Sequence, residues 1–285
     1  MDITLRPAAL NDAPEAGRVL YEAFKSLADR HGFPADFPSV DFASGLLGML
    51  IDHPAFYAVV AEHAGKVVGS SFMDERSPVL GIGPISVDPA TQDRGVGRRL
   101  MQDMLDRAAS RGAPGVRLLQ AAYHNRSLCL YASLGFQTRE PLSVMQGPPL
   151  GASFAGYQVR PAQLIDVVAC NRLCRDIHGF DRAAELRDAI EQNTATVVEH
   201  LGEISGYATL LGFFGHTVAR TNRDLMALIA AAPEFPGPGF ILPTRNHQVF
   251  AWCLGSGLKL VMQMTLMTIG LYNEPFGAYL PSVLY

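Results

Sequence analysis

The chain repeats itself, and this constrains its fold more than any other feature of its 285 residues. The opening Ile3-Thr4-Leu5-Arg6-Pro7-Ala8 returns as Gln158-Val159-Arg160-Pro161-Ala162. The run Val60-Ala61-Glu62-His63-Ala64-Gly65-Lys66-Val67-Val68-Gly69 returns as Val197-Val198-Glu199-His200-Leu201-Gly202-Glu203-Ile204-Ser205-Gly206. The segment from Asn125 to Phe136 is echoed by His247 to Leu258. Three matches in one order indicate a tandem duplication. The joint is the Pro/Gly-rich stretch from Gln146 to Gly156. We therefore expect domains at 1–146 and 157–285 with a linker at 147–156. In the first copy, patterning predicts strands at 2–6, 56–62, 66–73, 80–88 and 115–121, with final strands within 136–146. Helices are predicted at 12–29, 39–51, 95–111 and 125–134. Strands interleaved with helices place each copy in the α/β (α+β) class.

The most informative local stretch runs from Pro84 to Leu100. It reads as a strand ending Ile85-Ser86-Val87, a turn at Asp88-Pro89, and a glycine bend opening a helix. Leu100, Met104, Leu105 and Ala108 share one face of that helix. Gly95 and Gly97 let backbone approach a ligand closely. The first amides of a helix lack internal partners, and the helix dipole is positive there, so the segment suits a pyrophosphate. A nucleotide P-loop is excluded, because Arg98 and Arg99 stand where Lys and Ser/Thr are required. A dinucleotide fingerprint needs a third glycine that is missing. A plain glycine-rich turn into a helix stays open on this stretch alone.

What remains, Gln92-x-x-Gly95-x-Gly97 after Val87-Asp88-Pro89, resembles the coenzyme A motif of the GNAT superfamily of N-acetyltransferases. A second stretch supports the likeness. In that family an Asn opens a helix after the fifth strand, one face of the helix bears a Tyr, and the helix ends at Gly-Phe. Asn125, Tyr131, Gly135 and Phe136 fit that pattern in family order and spacing. The resemblance implies two tandem GNAT-like domains, each a mixed, mostly antiparallel twisted sheet whose fourth and fifth strands splay to admit acetyl-CoA. It implies that amides from Arg94 through Gly95, Val96, Gly97 and Arg98 to Arg99 cradle the pyrophosphate. Ile85, Ser86 and Val87 would offer edge hydrogen bonds to the pantetheine arm, and an amide near Ile85 would polarise the thioester. Asn125 is read both as the helix N-cap and as a pantetheine contact. Tyr131 is read as a half-buried packing residue or, by the resemblance, as the acid that protonates the leaving thiolate. The second copy has no Gln-x-x-Gly-x-Gly, and Cys253 stands where Tyr131 does. It is expected to fold similarly without holding the cofactor this way.

Composition narrows the partners. A net charge of −4 offers no basic face for nucleic acid; the local cluster Arg94, Arg98 and Arg99 suits phosphates. Cys129, Cys170, Cys174 and Cys253 lack metal-ligand spacing, so no metal is expected, and free thiols suit a reducing cytoplasm. Cys170 and Cys174, one helical turn apart, are expected in the core. Residues 248–285 carry only Lys259 and Glu274 as charges, yet polar interruptions exclude a membrane span. Buried strands at a domain or subunit interface are expected there, with homodimerisation as one use of them.

The general base is not visible. The fourth strand, Leu80 to Val87, has no carboxylate; Asp74 and Glu75 precede it, and His216 or His247 would have to reach across from the second copy. The acceptor groove is expected near 24–50, where Phe24, His31, Phe33, Phe37 and Phe42 cluster, and a small amine with an apolar part is expected in it. The competing reading is a non-catalytic acyl-CoA sensor or an interaction scaffold.

Overall fold

The computed structural model describes residues 2–284. The N-terminal half runs β1 (Thr4–Pro7), α1 (Ala13–His31), α2 (Val40–Asp52), β2 (Phe56–His63), β3 (Lys66–Asp74), β4 (Val79–Val87), α3 (Val96–Ser110), β5 (Gly115–Ala121), α4 (Asn125–Ser133) and β6 (Gln137–Gln146). The C-terminal half repeats this order as β7 (Tyr157–Pro161), α5 (Val167–His178), α6 (Ala183–Glu191), β8 (Thr196–His200), β9 (Glu203–Ala208), β10 (Thr217–Ala219), α7 (Asn222–Ala231), β11 (Phe240–Pro243), α8 (His247–Gly255) and β12 (Lys259–Gly270), then adds β13 (Ala278–Leu280). Both sheets are flanked by helices, as expected.

The duplication is visible atom by atom. Arg6 donates to Asp12 at 2.7 Å and to Glu62 at 2.9 Å. Arg160 donates to Asp166 at 2.7 Å and to Glu199 at 2.6 Å. In both halves the aspartate also accepts from a backbone amide at the entry to the first helix, Ala9 in one and Gln163 in the other. Hydrogen bonds to Arg6 and Arg160 hold the Asp12 and Asp166 carboxyls below their ordinary range. The ends of α4 and α8 are equally superposable: Phe136 N–H bonds Tyr131 C=O at 3.0 Å, and Leu258 N–H bonds Cys253 C=O at 3.0 Å.

The sheets do not respect the halves. One sheet has the order β1-β2-β3-β4-β5-β12-β6-β11, the other β13-β10-β9-β8-β7. The last strand of the C-terminal half, β12, lies between β5 and β6. It pairs antiparallel with both, Met264 to Gly270 against Ala121 to Gly115 and Lys259 to Thr268 against Gln146 to Gln137. Strand β6 in turn pairs with β11. Each half thus lends its last strand to the other. This accounts for part of the apolarity of 248–285: β12 has neighbours on both edges and buries Met262, Met264, Leu266 and Met267, while Leu260 and Gln263 stay exposed. Leu142, Val144, Ile241, Met262, Met264 and Leu266 form the shared core.

Strands β4 and β5 pair in parallel only from Val79 to Gly81 with Gly115 to Arg117. Beyond Gly81 they diverge, and a register shift in β3–β4 pairing between Ile82 and Ile85 bends β4 away. The equivalent space in the C-terminal half is closed, because β13 pairs with the free edge of β10. From β13 the chain crosses back to the first half. Val283 N–H is still tied to its own half, bonding Phe213 C=O at 2.8 Å, while the Leu284 carbonyl reaches β4, 1.8 Å from where a Cβ on Gly81 would stand. Only glycine admits that approach.

Because the halves share strands, neither can lose its structure alone. We expect a single unfolding transition by differential scanning calorimetry, with calorimetric and van't Hoff enthalpies equal. Two resolved transitions would contradict the exchange.

Candidate active site

The divergence of β4 and β5 opens into a cavity of about 400 Å³. Its entrance is the glycine bend. Gly95 is left-handed at φ 81° and caps α3; a Cβ there would touch nothing, so its free side faces open space. Leu100, Met101 and Met104 root α3 in the core beneath β3 and β4. This fixes where its first amides point. Arg99 N–H is taken by Gly95 C=O at 3.1 Å, so the unspent amides at the start of α3 are those of Val96, Gly97 and Arg98. Of the expected cradle from Arg94 to Arg99, the Arg99 amide is thus taken within the helix. The Arg94 and Arg99 side chains are exposed and off the cavity wall. Arg98 lines it and donates to Ser133 at 2.7 Å.

Ile85, Ser86 and Val87 all line the cavity. The ladder decides which of them offers its backbone. Asp88 N–H bonds Val68 C=O across β3 at 2.9 Å. Bonding alternates along an antiparallel pair, so Ser86 turns its amide to β3 and Ile85 and Val87 turn theirs into the opening. The Gln92 side chain already donates to Val87 C=O at 3.2 Å on that side. Ser86 also spends its hydroxyl on Ser70, 3.1 Å away.

Tyr131 lines the inner part of the cavity, 7 % exposed, edge-on to Phe136. Burial pushes its hydroxyl pKa up, so the phenol carries its proton at neutral pH. Asn125 does not sit where expected. Helix α4 is capped by His124, without a side-chain cap bond, and Asn125 is the first helical residue. It borders a separate shallow hollow with His31 and Tyr123, outside the main cavity. The turn into α4 is held instead by Gln120, whose Nε2 donates to His124 C=O at 2.8 Å and to Ser127 Oγ at 3.1 Å.

None of the carboxylates and histidines weighed as a base reaches the cavity. Arg76 bonds Asp74 at 2.6 Å. Arg107 and Arg111 hold Glu75 at 2.8 and 3.3 Å. His216 is buried between Glu185 and Tyr207, and His247 is exposed on α8. Two carboxylates do line the cavity: Asp93, paired with Arg126, and Asp36, on the α1–α2 loop. Burial alone pushes the Asp36 carboxyl up to about 6. A lone acid in Gly32-Phe-Pro-Ala-Asp-Phe-Pro38 was the sequence signal for it, since the aromatic residues flanking it exclude water. His124 lines the cavity as well; burial first, then Arg126, Arg30 and His31, lower its pKa to about 4, so it is neutral at pH 7. Of the aromatic cluster, Phe24 and Phe37 line the cavity, whereas Phe33 and His31 pack on Tyr123 and Phe42 is exposed.

Sequence reasoning suggests the second copy as a wall of the acceptor pocket but does not name the residues that form it. Phe213, Phe214, Met262, Met264, Val283 and Leu284 line the cavity, and all come from the C-terminal half. The duplication shows that a second half exists but not that its last strand and tail cross over.

The comparisons agree with this geometry. Residues 20–136 match the acetyltransferase (GNAT) family. N-alpha-acetyltransferase RimI of Mycobacterium tuberculosis is 40 % identical over 89 residues, 30 % of this chain; the chain spans about half of that relative, 54 %. Over nearly the full length the fold is similar to a candidate acetyltransferase from Pyrococcus horikoshii, with a TM-score of 0.73, 17 % identity and coverage of 95 % of this chain and 90 % of that one. It is also similar to a tandem GNAT protein from the clavulanic acid biosynthesis pathway, with a TM-score of 0.55, 17 % identity and coverage of 94 % and 98 %.

The Asp36 environment has a measurable cost. Its folded pKa of about 6 exceeds the unfolded value of about 4. Between those values the folded state binds more protons, so stability falls as pH rises through the window, and the full penalty applies above it. Asp36→Asn should therefore raise Tm by a few degrees at pH 7.5, with the gain shrinking towards pH 4. A Tm gain that does not depend on pH would refute this account of its burial. The glycine bend and the diverging strands that frame the cavity fall within the N-terminal stretch that is similar to the acetyltransferase (GNAT) family.

Proposed function

We propose that this protein transfers an acetyl group from acetyl-CoA to the amine of a small molecule, by direct attack of the nitrogen on the thioester. One observation carries the reading: a single cavity runs from the unspent amides of α3 along the free edge of β4 to Tyr131. Val96, Gly97 and Arg98 N–H would grip the pyrophosphate, each charge-assisted bond worth about 1.5–3 kcal/mol. Gly95 leaves the approach clear. Ile85 and Val87 would bond the pantetheine arm as a neighbouring strand would, and an amide near Ile85 would polarise the thioester carbonyl. The buried Tyr131 phenol keeps its proton for the departing sulfur, a contribution of about 10²–10⁴ in rate.

The acceptor's character is argued from the cavity wall. Phe213, Phe214, Met264 and Leu284 add an apolar wall to the cavity, which favours an acceptor with an apolar body. No helix of the described residues is long and apolar enough to cross a membrane, and the four cysteines are free; we assign the reaction to the cytoplasm.

The test is coenzyme A release across a panel of arylalkyl amines, aliphatic amines and short peptides with free N-termini, beside calorimetry of acetyl-CoA binding. Amine turnover with peptides inert supports the reading; peptide turnover alone assigns the activity that the RimI name describes. Binding without turnover on any amine makes the protein a sensor. In the same assays Tyr131→Phe should lower kcat by about 10² or more while leaving the acetyl-CoA affinity unchanged. Wild-type turnover in that variant would remove Tyr131 from the chemistry.

A further inference from the structure

The inner cavity wall carries two hydrogen-bond acceptors that nothing on the protein satisfies. Asp36 has no hydrogen-bond or ion-pair partner among the described residues. Gln120, 2 % exposed, leaves its Oε1 buried and unpartnered. The amide orientation is fixed, because Nε2 donates to the Ala121 and His124 carbonyls, which accept only. A buried amide oxygen without a donor and a half-buried carboxylate without a partner, on the wall of one cavity, mark a subsite for a group rich in N–H.

We propose that Asp36 receives the acceptor's ammonium group and takes its proton, with Gln120 Oε1 as a second hydrogen-bond acceptor in that subsite. This rests on the transferase reading above and names the residue that reading lacked.

The charges around the cavity single out Asp36. From α1, Arg30 lines the wall and directs its Nε to Ser26 C=O at 3.1 Å. From the glycine bend and α4, Asp93 and Arg126 pair with each other, and Arg98 is held by Ser133. His124 is neutral, and Tyr131 and Tyr123 keep their protons, burial raising both phenols. The residues from the C-terminal half are apolar. Of the two carboxylates on the wall, Asp36 is therefore the one still available to a cation.

The proton accounting closes. An alkylammonium, with a pKa of about 10, is overwhelmingly charged at pH 7 and cannot attack. Asp36 accepts one proton from R-NH3⁺. The freed lone pair forms the C–N bond to the acetyl carbon, and the carbonyl π-electrons move to oxygen. As they return, the C–S bond breaks and the sulfur takes a proton from Tyr131, which is restored by the one the nitrogen sheds in becoming an amide. Asp36 passes its proton to solvent, so one proton leaves per turnover. A base with a pKa near 6 is matched to this cycle at neutral pH.

The experiment uses the full chain, saturated with coenzyme A for binding and with acetyl-CoA for turnover. The probes are 2-phenylethylamine and its neutral counterpart 2-phenylethanol, measured by calorimetry with wild type, Asp36→Asn and Asp36→Glu. Wild type should prefer the amine by about tenfold or more, and Asp36→Asn should lose that preference while keeping the alcohol. Turnover of the amine should fall below about pH 6 in wild type. Asp36→Asn should reduce kcat/KM at pH 7 by about 10² or more and move the acid limb up towards the amine's own pKa of about 10, whereas Asp36→Glu should keep the limb near its wild-type position at reduced kcat. Turnover that Asp36→Asn leaves within about threefold, acid limb intact, overturns the assignment and spares the transferase. Amine binding that depends on Asp36 without any turnover refutes the transferase and sustains the subsite. Neither binding nor turnover of the amine refutes both.

Discussion

The insertion of β12 between β5 and β6 is the constraint on which the rest of the structure depends. Without it, β5 would be an edge strand from Gly115 to Ala121, with its amides and carbonyls unpaired. With it, β5 is fixed on the side away from β4, and β4 is free to diverge on the other. The ladder closes with Met264 opposite Ala121 and Gly270 opposite Gly115, and this register brings Met262 and Met264 to the inner cavity wall. A slip of one residue would turn those side chains to the other face. The same exchange buries Glu140 on β6 at 2 % exposure. Its two oxygens are met by Arg245 and by the Tyr279 hydroxyl, both from the other half. A buried carboxylate is tolerated only when so satisfied, so this cluster also specifies which strand β6 lies beside.

Polar bridges fix the halves elsewhere. Arg76 bonds Asp74 in its own half and Asp188 in the other at 2.8 Å, and the His53 ring lies 3.4 Å from the same Asp188. Deeper in, Glu185 meets Arg182 at 2.6 Å and His216 at 3.1 Å. Burial alone would raise the Glu185 carboxyl; the Arg182 guanidinium outweighs it and holds the carboxyl well below its ordinary range. Burial first, then Arg182, lowers His216 to about 4, so its ring is neutral there and bonds the Tyr207 hydroxyl at 3.0 Å. This histidine is structural, and its place in the His216-Thr217 stretch reflects packing under β10 rather than reach towards the cavity.

What the sequence disclosed follows from how local its signals are. The repeat, the element order and the glycine bend are written in short windows, and each appears within a residue or two of its expected place. Tyr131 and Gly95 were legible for the same reason. Cys170 and Cys174 were legible as core residues because helical spacing alone puts them on one face. The partner of a strand is not local. Nothing between Lys259 and Gly270 states that its neighbours are β5 and β6, although the near absence of charge fits a strand paired on both edges. Asp36 was overlooked for a related reason: a loop acid is ordinarily solvated, and only the packing of Phe37 and the closeness of the other half remove its water. Asn125 was misplaced by one residue as a cap, within the usual uncertainty of a helix boundary; the cap His124 lines both the cavity and the hollow, whereas Asn125 lines the hollow and not the cavity.

The two halves share one plan and differ where a ligand would enter, and the differences point the same way. At the start of α7, Thr221 Oγ1 accepts from Asp224 N–H at 3.3 Å, and the Asp224 carboxylate accepts from Thr221 N–H at 2.9 Å, so that helix closes its own amides with a capping box. At the start of α3, Gly95 has no side chain with which to do so. Beside β10 the free edge is filled by β13; beside β4 it is left open. Where Tyr131 presents a phenol to the cavity, Cys253 presents a thiol whose pKa burial pushes up to about 12. Each change in the C-terminal half removes a donor, an edge or an acid, and each satisfies a group that would otherwise need a ligand. The chain after β13 then carries Val283 and Leu284 to the first half. The half that fills its own opening thereby supplies part of the wall around the opening of the other.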